Sequence, residues 1–267
     1  MSIFRKSFPA FFEWLTVESC ISLNGNRTEK ECTVLEICVD SIDGVTAAIN
    51  GGAGRVELCS SLSEGGLTPS AGLMRAAAQL PIPCYAMIRP RSGLFGFSKA
   101  EAEIMLADIA MVREAGLAGV VLGAQDADGG LNMPLLAQLI GAAGGLGKTL
   151  HRVIDVVPEP LVALDQAIEL GFERVLTSGA EPLAPDGAPL IGLMVERAAG
   201  RLSVMPGCGL TADNVAEVMA VTGVHEVHVA CNVRVPGDVA FSDFDPPGGR
   251  FETSESEIRE MVSQISR

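Results

Sequence analysis

The chain has 267 residues, 48% of them hydrophobic, with 30 Gly and 15 Pro, enough for one large α/β barrel or two ordinary domains. A net charge of -14 argues against nucleic acid and anionic membranes, whose phosphates attract basic surfaces. No apolar run reaches the ~20 residues needed to span a bilayer.

Residues 1–32 differ from the rest of the chain. They hold the only Trp, Trp14, beside Phe8, Phe11 and Phe12, then a polar stretch through Asn24, Arg27 and Lys30. They read as an N-terminal extension, poorly ordered, ahead of a domain over 33–267. Glu13 interrupts the apolar segment that a signal peptide would need, and there is no small-residue cleavage site after it. A cytoplasmic protein is therefore expected. The seven cysteines are odd in number and dispersed, with no Cys-x-x-Cys pair, which fits reduced thiols rather than a disulfide framework.

From residue 33 onward, strand and helix patterns alternate. Leu35-Glu36-Ile37-Cys38-Val39-Asp40 is echoed by Val56-Glu57-Leu58-Cys59. In both, apolar and polar residues alternate with the period of a strand. Further strands are predicted over 84–88, 149–154 and 202–205. Helical periodicity covers 99–114, 133–143, 161–170, 190–199 and 212–221, and 254–265 supplies a closing helix. A phrase recurs between them: 50–58, 114–122, 170–176 and 222–228 each read as a Gly-capped helix end, a tight loop and a buried strand. About eight such units in one run predict a single (β/α)₈ TIM barrel with a C-terminal closing helix. An open doubly wound sheet is disfavoured, because no strand-to-helix turn carries a G-x-G-x-x-G fingerprint.

In such a barrel, function gathers at the C-terminal ends of the strands. Parity nominates inward residues: Glu36, Cys38 and Asp40; Glu57 and Cys59; Met87 and Arg89, with Arg91 at the rim; His151 and Asp155; Thr177; Glu226 and His228. His151 and His228 are candidate acid–base groups, with Asp155, Glu36 and Glu57 as carboxylate partners. Arg89 and Arg91 suit a carboxylate or phosphate. The turn through Gly207 and Gly209, running into a helix near Ala212, has the form of a phosphate cradle. The same polar groups could instead neutralise one another as a buried structural layer. Cys38 and Cys59 should lie side by side on one face of adjacent strands, ~4.8 Å apart in the pairing direction, with Met87 beyond them. Soft sulfur ligands select ions such as Cu(I), although buried cysteines also serve as small apolar fillers.

Several phrases in combination closely resemble the CutC copper homeostasis family. They are Leu35 to Ser41, Arg55 to Ser60, Glu64-Gly65-Gly66-Leu67-Thr68-Pro69-Ser70, Met87-Ile88-Arg89-Pro90-Arg91, His151-Arg152, Val175 to Gly179 and Met205-Pro206-Gly207. The resemblance covers about residues 34–231. It implies a cytoplasmic (β/α)₈ homo-oligomer that handles copper, with Cu(I) on the cysteines that map to Cys38 and Cys59. The chain departs from the family pattern in strand eight, where His228-Val229-Ala230-Cys231-Asn232 loses a small Gly, a hydroxyl and an Arg, and at Gly207-Cys208-Gly209, where the middle glycine is a cysteine.

Two functions are thus open: a copper-binding protein, or an enzyme acting on a small anionic, phosphorylated or unphosphorylated metabolite through Arg89, Arg91, His151, Asp155, Thr177, His228 and the turn over Gly207 and Gly209. Neither needs nucleic acid or a membrane.

Overall fold

The computed structural model describes residues 33–237 and 249–266. The expectations for 1–32, including Cys20 and Cys32, lie outside these residues. Eight parallel strands form one sheet: β1 (Val34–Val39), β2 (Arg55–Leu58), β3 (Cys84–Met87), β4 (Gly119–Leu122), β5 (Gly147–Leu150), β6 (Arg174–Thr177), β7 (Ser203–Pro206) and β8 (Glu226–Val229). Their order is β7-β6-β5-β4-β3-β2-β1-β8. A single parallel bridge between Gly207 and His228 joins the remaining edges, so the sheet curls into the (β/α)₈ barrel expected of the repeated unit.

Eight α-helices among the described residues surround it: α1 (Ile42–Gly51), α2 (Ala71–Ala77), α3 (Lys99–Ala115), α4 (Met133–Ala143), α5 (Pro160–Leu170), α6 (Ala184–Ala198), α7 (Val215–Thr222) and α8 (Glu255–Ile265). Local chemistry fixes many of their ends. Ser41, Ser70, Ser98, Asn132 and Ser254 each accept a backbone N–H from the first turn, and Ser98 forms a reciprocal capping box with Glu101. The recurrent phrase ends helices at Gly52, Gly116, Gly171 and Gly223, all left-handed with φ of 93°, 81°, 81° and 74°. Such a turn is open to glycine without a Cβ penalty.

Between barrel and helices lies the main core. Leu35, Ile37, Val39, Val56, Leu58, Val175, Val227 and Val229 face it, as alternation requires. Helix α8 seats its Ile258 directly on α1, where a Cβ on Gly51 would come within 2.4 Å of the Ile258 side chain. An antiparallel hairpin, β9 (Asn232–Val235) and β10 (Arg250–Thr253), leads into α8; the strand pattern of the sequence does not extend to it. No helix among the described residues is long and apolar enough to cross a membrane.

Three expected boundaries move. Strand five stops at Leu150 and a 3-10 turn spans Arg152–Val156, because the His151 ring caps Val153 N–H and diverts the chain. Helix α6 begins at Ala184, ahead of the expected 190. Its early Gly187 lies against Ser178 and Gly179, where a Cβ would sit 1.9 Å from the Ser178 carbonyl oxygen. Helix α7 begins at Val215, not Ala212, since Asn214 folds back onto Thr211 N–H and the Gly209 carbonyl.

Candidate functional site

The floor of the barrel is a charge network. Register places Glu36 opposite Arg55 on one side and His228 on the other. Arg55 pairs with both Glu36 and Glu226, and Arg174 reaches Glu226 at 3.2 Å and Thr149 at 3.2 Å. Both guanidiniums lie over the Tyr85 ring, 5.6 and 4.9 Å from its centroid. Tyr85 fits because β4 and β5 present Gly119 and Gly147, whose Cβ atoms would fall 2.2 and 2.1 Å from it. Burial would raise the Glu36 carboxyl pKa, but Arg55 and then His228 overcome it and hold the group down at about 2. Arg55 is shifted upward: burial opposes its charge, and Glu36 and Glu226 more than offset that.

Above this floor, His228 stands between two acids. Its Nδ1 is 2.8 Å from Glu36 Oε1, and its Nε2 is 3.8 Å from Glu57 Oε2. Burial disfavours the imidazolium, yet Glu57, Cys38 and Glu36 raise the pKa well above the usual value. Glu57 is pushed up, first by burial and then by the charge on Glu36. Ligand atoms of Cys38, Glu57 and His228 all lie within 4.8 Å of one another.

The register corrects one expectation. Cys38 pairs with Glu57, not with Cys59. Cys59 lies one step further along β2, fully buried among Tyr85, Met87 and Val121, with its thiol 3.6 Å from Glu57 Oε2. Burial and then the nearby Glu57 push that thiol well up.

Two cavities open at the mouth. The outer one, about 450 Å³, is lined by Cys38, Cys208, Thr211, His228, Cys231 and Glu257 among others. The inner one, about 200 Å³, is walled by Glu57, Met87, Arg89, Phe95, His151 and Leu176, and shares Cys38, Cys208 and His228 with the first. Cys208 and Cys231, which lie in the two phrases that depart from the family pattern, therefore both line the outer cavity.

Other expected residues are placed differently. Thr177 shares the parity of Val175 and faces away from the bore; Leu176 lines the inner cavity instead. Thr177 donates to Asp155 at 2.5 Å. Asp155 also accepts from Ser178 N–H, Ser178 Oγ, Ala180 N–H and Arg152 Nε, so its carboxylate organises the loop after β6. Arg91 pairs with Glu101 and donates to the carbonyls of Ser92, Leu94 and Gly96, which makes it a brace for the loop after β3. Asp40 is exposed. Gly207 N–H is committed to the Thr177 carbonyl at 2.9 Å, so it is not free to cradle phosphate. A Cβ on Gly207 would lie 2.7 Å from Leu176, and its glycine keeps the β7–β8 junction open to that side chain.

Sequence reading missed Arg55, Tyr85, Thr149 and Arg174. The parity that nominated Glu57 and His151 also nominates Arg55 and Thr149, two residues earlier on each strand; that signal was available.

The CutC family model matches residues 33–233. A protein named as a family protein CutC from Rhizobium meliloti (strain 1021) is 47% identical over 234 residues, spanning 86% of this chain and 95% of its own. One of the same name from Caulobacter vibrioides (strain NA1000 / CB15N) is 46% identical over 237 residues, 87% and 96% of the two chains. Among solved structures, the putative copper homeostasis protein CutC from Streptococcus agalactiae superposes with a TM-score of 0.71 at 33% identity, covering 74% of this chain and 98% of that one.

Proposed function

The chain belongs to the CutC family, and from that premise we propose that it serves copper homeostasis by binding Cu(I) at the mouth of the barrel. The observation that carries this reading is the convergence of Cys38, Glu57 and His228 within 4.8 Å. Thiolate and imidazole are donors suited to copper. His228 is also oriented as a metal-ligating histidine usually is: its Nδ1 is held by the Glu36 carboxylate, which leaves Nε2 turned toward Cys38 and Glu57. Cys38 and His228 supply the primary donors. Cys59 stands behind Glu57 as a second sulfur, with the Met87 thioether packed beside it.

Protons must leave for the ion to enter. His228 holds its proton between two acids, and burial keeps the Cys59 thiol protonated; copper binding therefore releases protons and tightens as pH rises. Five described cysteines are free thiols, in keeping with action in a reducing, cytoplasmic compartment.

The test is a Cu(I) titration against a competing chelator, with wild type beside Cys38→Ser, Cys59→Ser, the double variant and His228→Gln. Tight binding of one equivalent that is lost in Cys38→Ser and His228→Gln supports the reading. Weak binding in wild type, or binding indifferent to all four changes, overturns it.

A further inference from the structure

Among the described residues, three buried side-chain polar atoms have no hydrogen-bond partner: Glu57 Oε1, Arg89 Nε and His151 Nε2. Native folds leave few such groups unpaired, and each calls for an explanation. All three residues are more than nine-tenths buried, and all three line the same inner cavity of about 200 Å³. We propose that this cavity is a binding site for a small hydroxycarboxylate, whose carboxylate oxygens accept from Arg89 and His151 and whose hydroxyl donates to Glu57.

The donor and acceptor pattern sets that chemistry. Arg89 spends its Nη atoms on the carbonyls of Glu64, Gly66 and Gly93, and its Nε–H remains. No carboxylate among the described residues lies within ion-pair distance of it, so Arg89 is a buried cation without a paired anion, and the acid of this cavity, Glu57, sits against His228 instead. The His151 tautomer is fixed by its surroundings. Nδ1 accepts Val153 N–H at 3.1 Å, so the ring proton sits on Nε2 and makes it a donor. Burial, then the Arg89 charge, hold the pKa of this imidazole at about 3; it is a neutral hydrogen-bond donor throughout the physiological range. Two donors and one acceptor thus stand unpaired on residues that line one cavity.

Size narrows the class. The volume is below the ~300 Å³ at which pockets for drug-sized ligands begin, which leaves a few carbons. The Phe95 ring, 4.6 Å from the His151 ring, and Met87 and Leu176 cover its apolar edge. A phosphate dianion is a poorer match, because it needs more donors than these two and the Gly207 N–H is already used. The site adjoins the copper ligands and shares Glu57 with them, while Arg89 and His151 belong to it alone; Cys38 and His228 line both cavities.

The experiment is calorimetric titration of the full chain with D-glycerate, beside propionate, which lacks the hydroxyls, and inorganic phosphate. Glycerate should bind, and propionate and phosphate should each bind at least about tenfold more weakly. His151→Asn keeps an oxygen where Nδ1 caps Val153 but removes the Nε2 donor; it should weaken glycerate about tenfold. His151→Gln, which restores an N–H near that position, should recover part of the loss. Cu(I) affinity should be unchanged in both variants, so failure here is separable from failure of the copper reading. No heat with glycerate up to about 10 mM, equal binding of propionate, or equal affinity in His151→Asn would overturn the proposal. The wild-type ligand comparison decides it even if the variants fold poorly.

Discussion

His228 Nδ1 and Glu36 Oε1 meet at 2.8 Å across 192 residues of chain. The contact joins the last barrel strand to the first and ties the candidate metal ligand to the charge network beneath it. Glu36 is fully buried and also carries Arg55. Replacing it with Leu leaves a buried guanidinium with one acid fewer and His228 without its orienting partner. The expected loss is about 3–5 kcal/mol, the usual consequence of removing one member of a buried pair. Urea unfolding of Glu36→Leu measures it; a change under ~1 kcal/mol would mean that the network contributes as little as a surface pair.

The two interior histidines should give opposite pH dependences. His151 has its pKa depressed to about 3 from an ordinary 6.5. The unfolded chain takes up a proton that the fold refuses, so its contribution is complete above pH 6.5 and declines as pH falls toward 3, at most about 1.4 kcal/mol per pH unit. Comparing wild type with His151→Asn by urea unfolding at neutral and mildly acidic pH isolates this slope. Parallel stabilities would show that the folded ring titrates normally.

His228 is raised instead. Its contribution is complete below the ordinary 6.5 and fades as pH climbs through the folded value. The stability gap between wild type and His228→Gln should therefore narrow as the solution becomes alkaline. A gap that widens would mean that neutral imidazole is the form the fold holds.

Gly123 makes room for His151. A Cβ there would stand 2.4 Å from Cε1 and 2.7 Å from Nδ1 of that ring, which Phe95 blocks on another side. Gly123→Ala should cost about 1–3 kcal/mol by overpacking, and urea unfolding should detect it. Neutral stability would show that the ring has space to retreat.

The five described thiols should differ in reactivity. Cys208 is exposed, Cys38 and Cys231 are half-buried, and Cys59 and Cys84 are buried. Burial pushes Cys84 and Cys231 up to about 12 and raises Cys59 well above the ordinary range. Only the thiolate is alkylated. Under native conditions at mildly alkaline pH, iodoacetamide treatment and then peptide mass spectrometry should find Cys208 modified first and Cys59 and Cys84 last. Early labelling of Cys59 would place it at the surface.

The barrel was legible because its signal is repeated. Gly52, Gly116, Gly171 and Gly223 announced four helix-to-strand junctions, and alternation sorted Leu35 from Glu36 and Val227 from His228. Period-two counting was reliable within a strand and misleading at its end. At Thr177 the count was one residue out, and at Asp155 the strand had already given way to a turn. Register was the other missing quantity. A shared face does not say which residues stand opposite, and the sequence placed Cys38 beside Cys59 where the ladder sets Cys38 beside Glu57. Loop braces such as Arg91 and Asp155 carry the same residue types as ligand-binding groups. Only their partners tell them apart.

The strand order has a consequence for how the protein is made. Strand β8 pairs with β1, so the edge of the first strand stays open until nearly the whole barrel has been synthesised. Arg55 and Glu226 are 171 residues apart. At a translation rate of about 5–20 residues per second, Arg55 waits roughly 10–30 s on the ribosome for its second acid. Glu36 waits as long for His228. Until then the nascent chain holds an incomplete set of interior charges, and the candidate metal centre does not exist. The mouth of the barrel is assembled last, by the segment that also closes it.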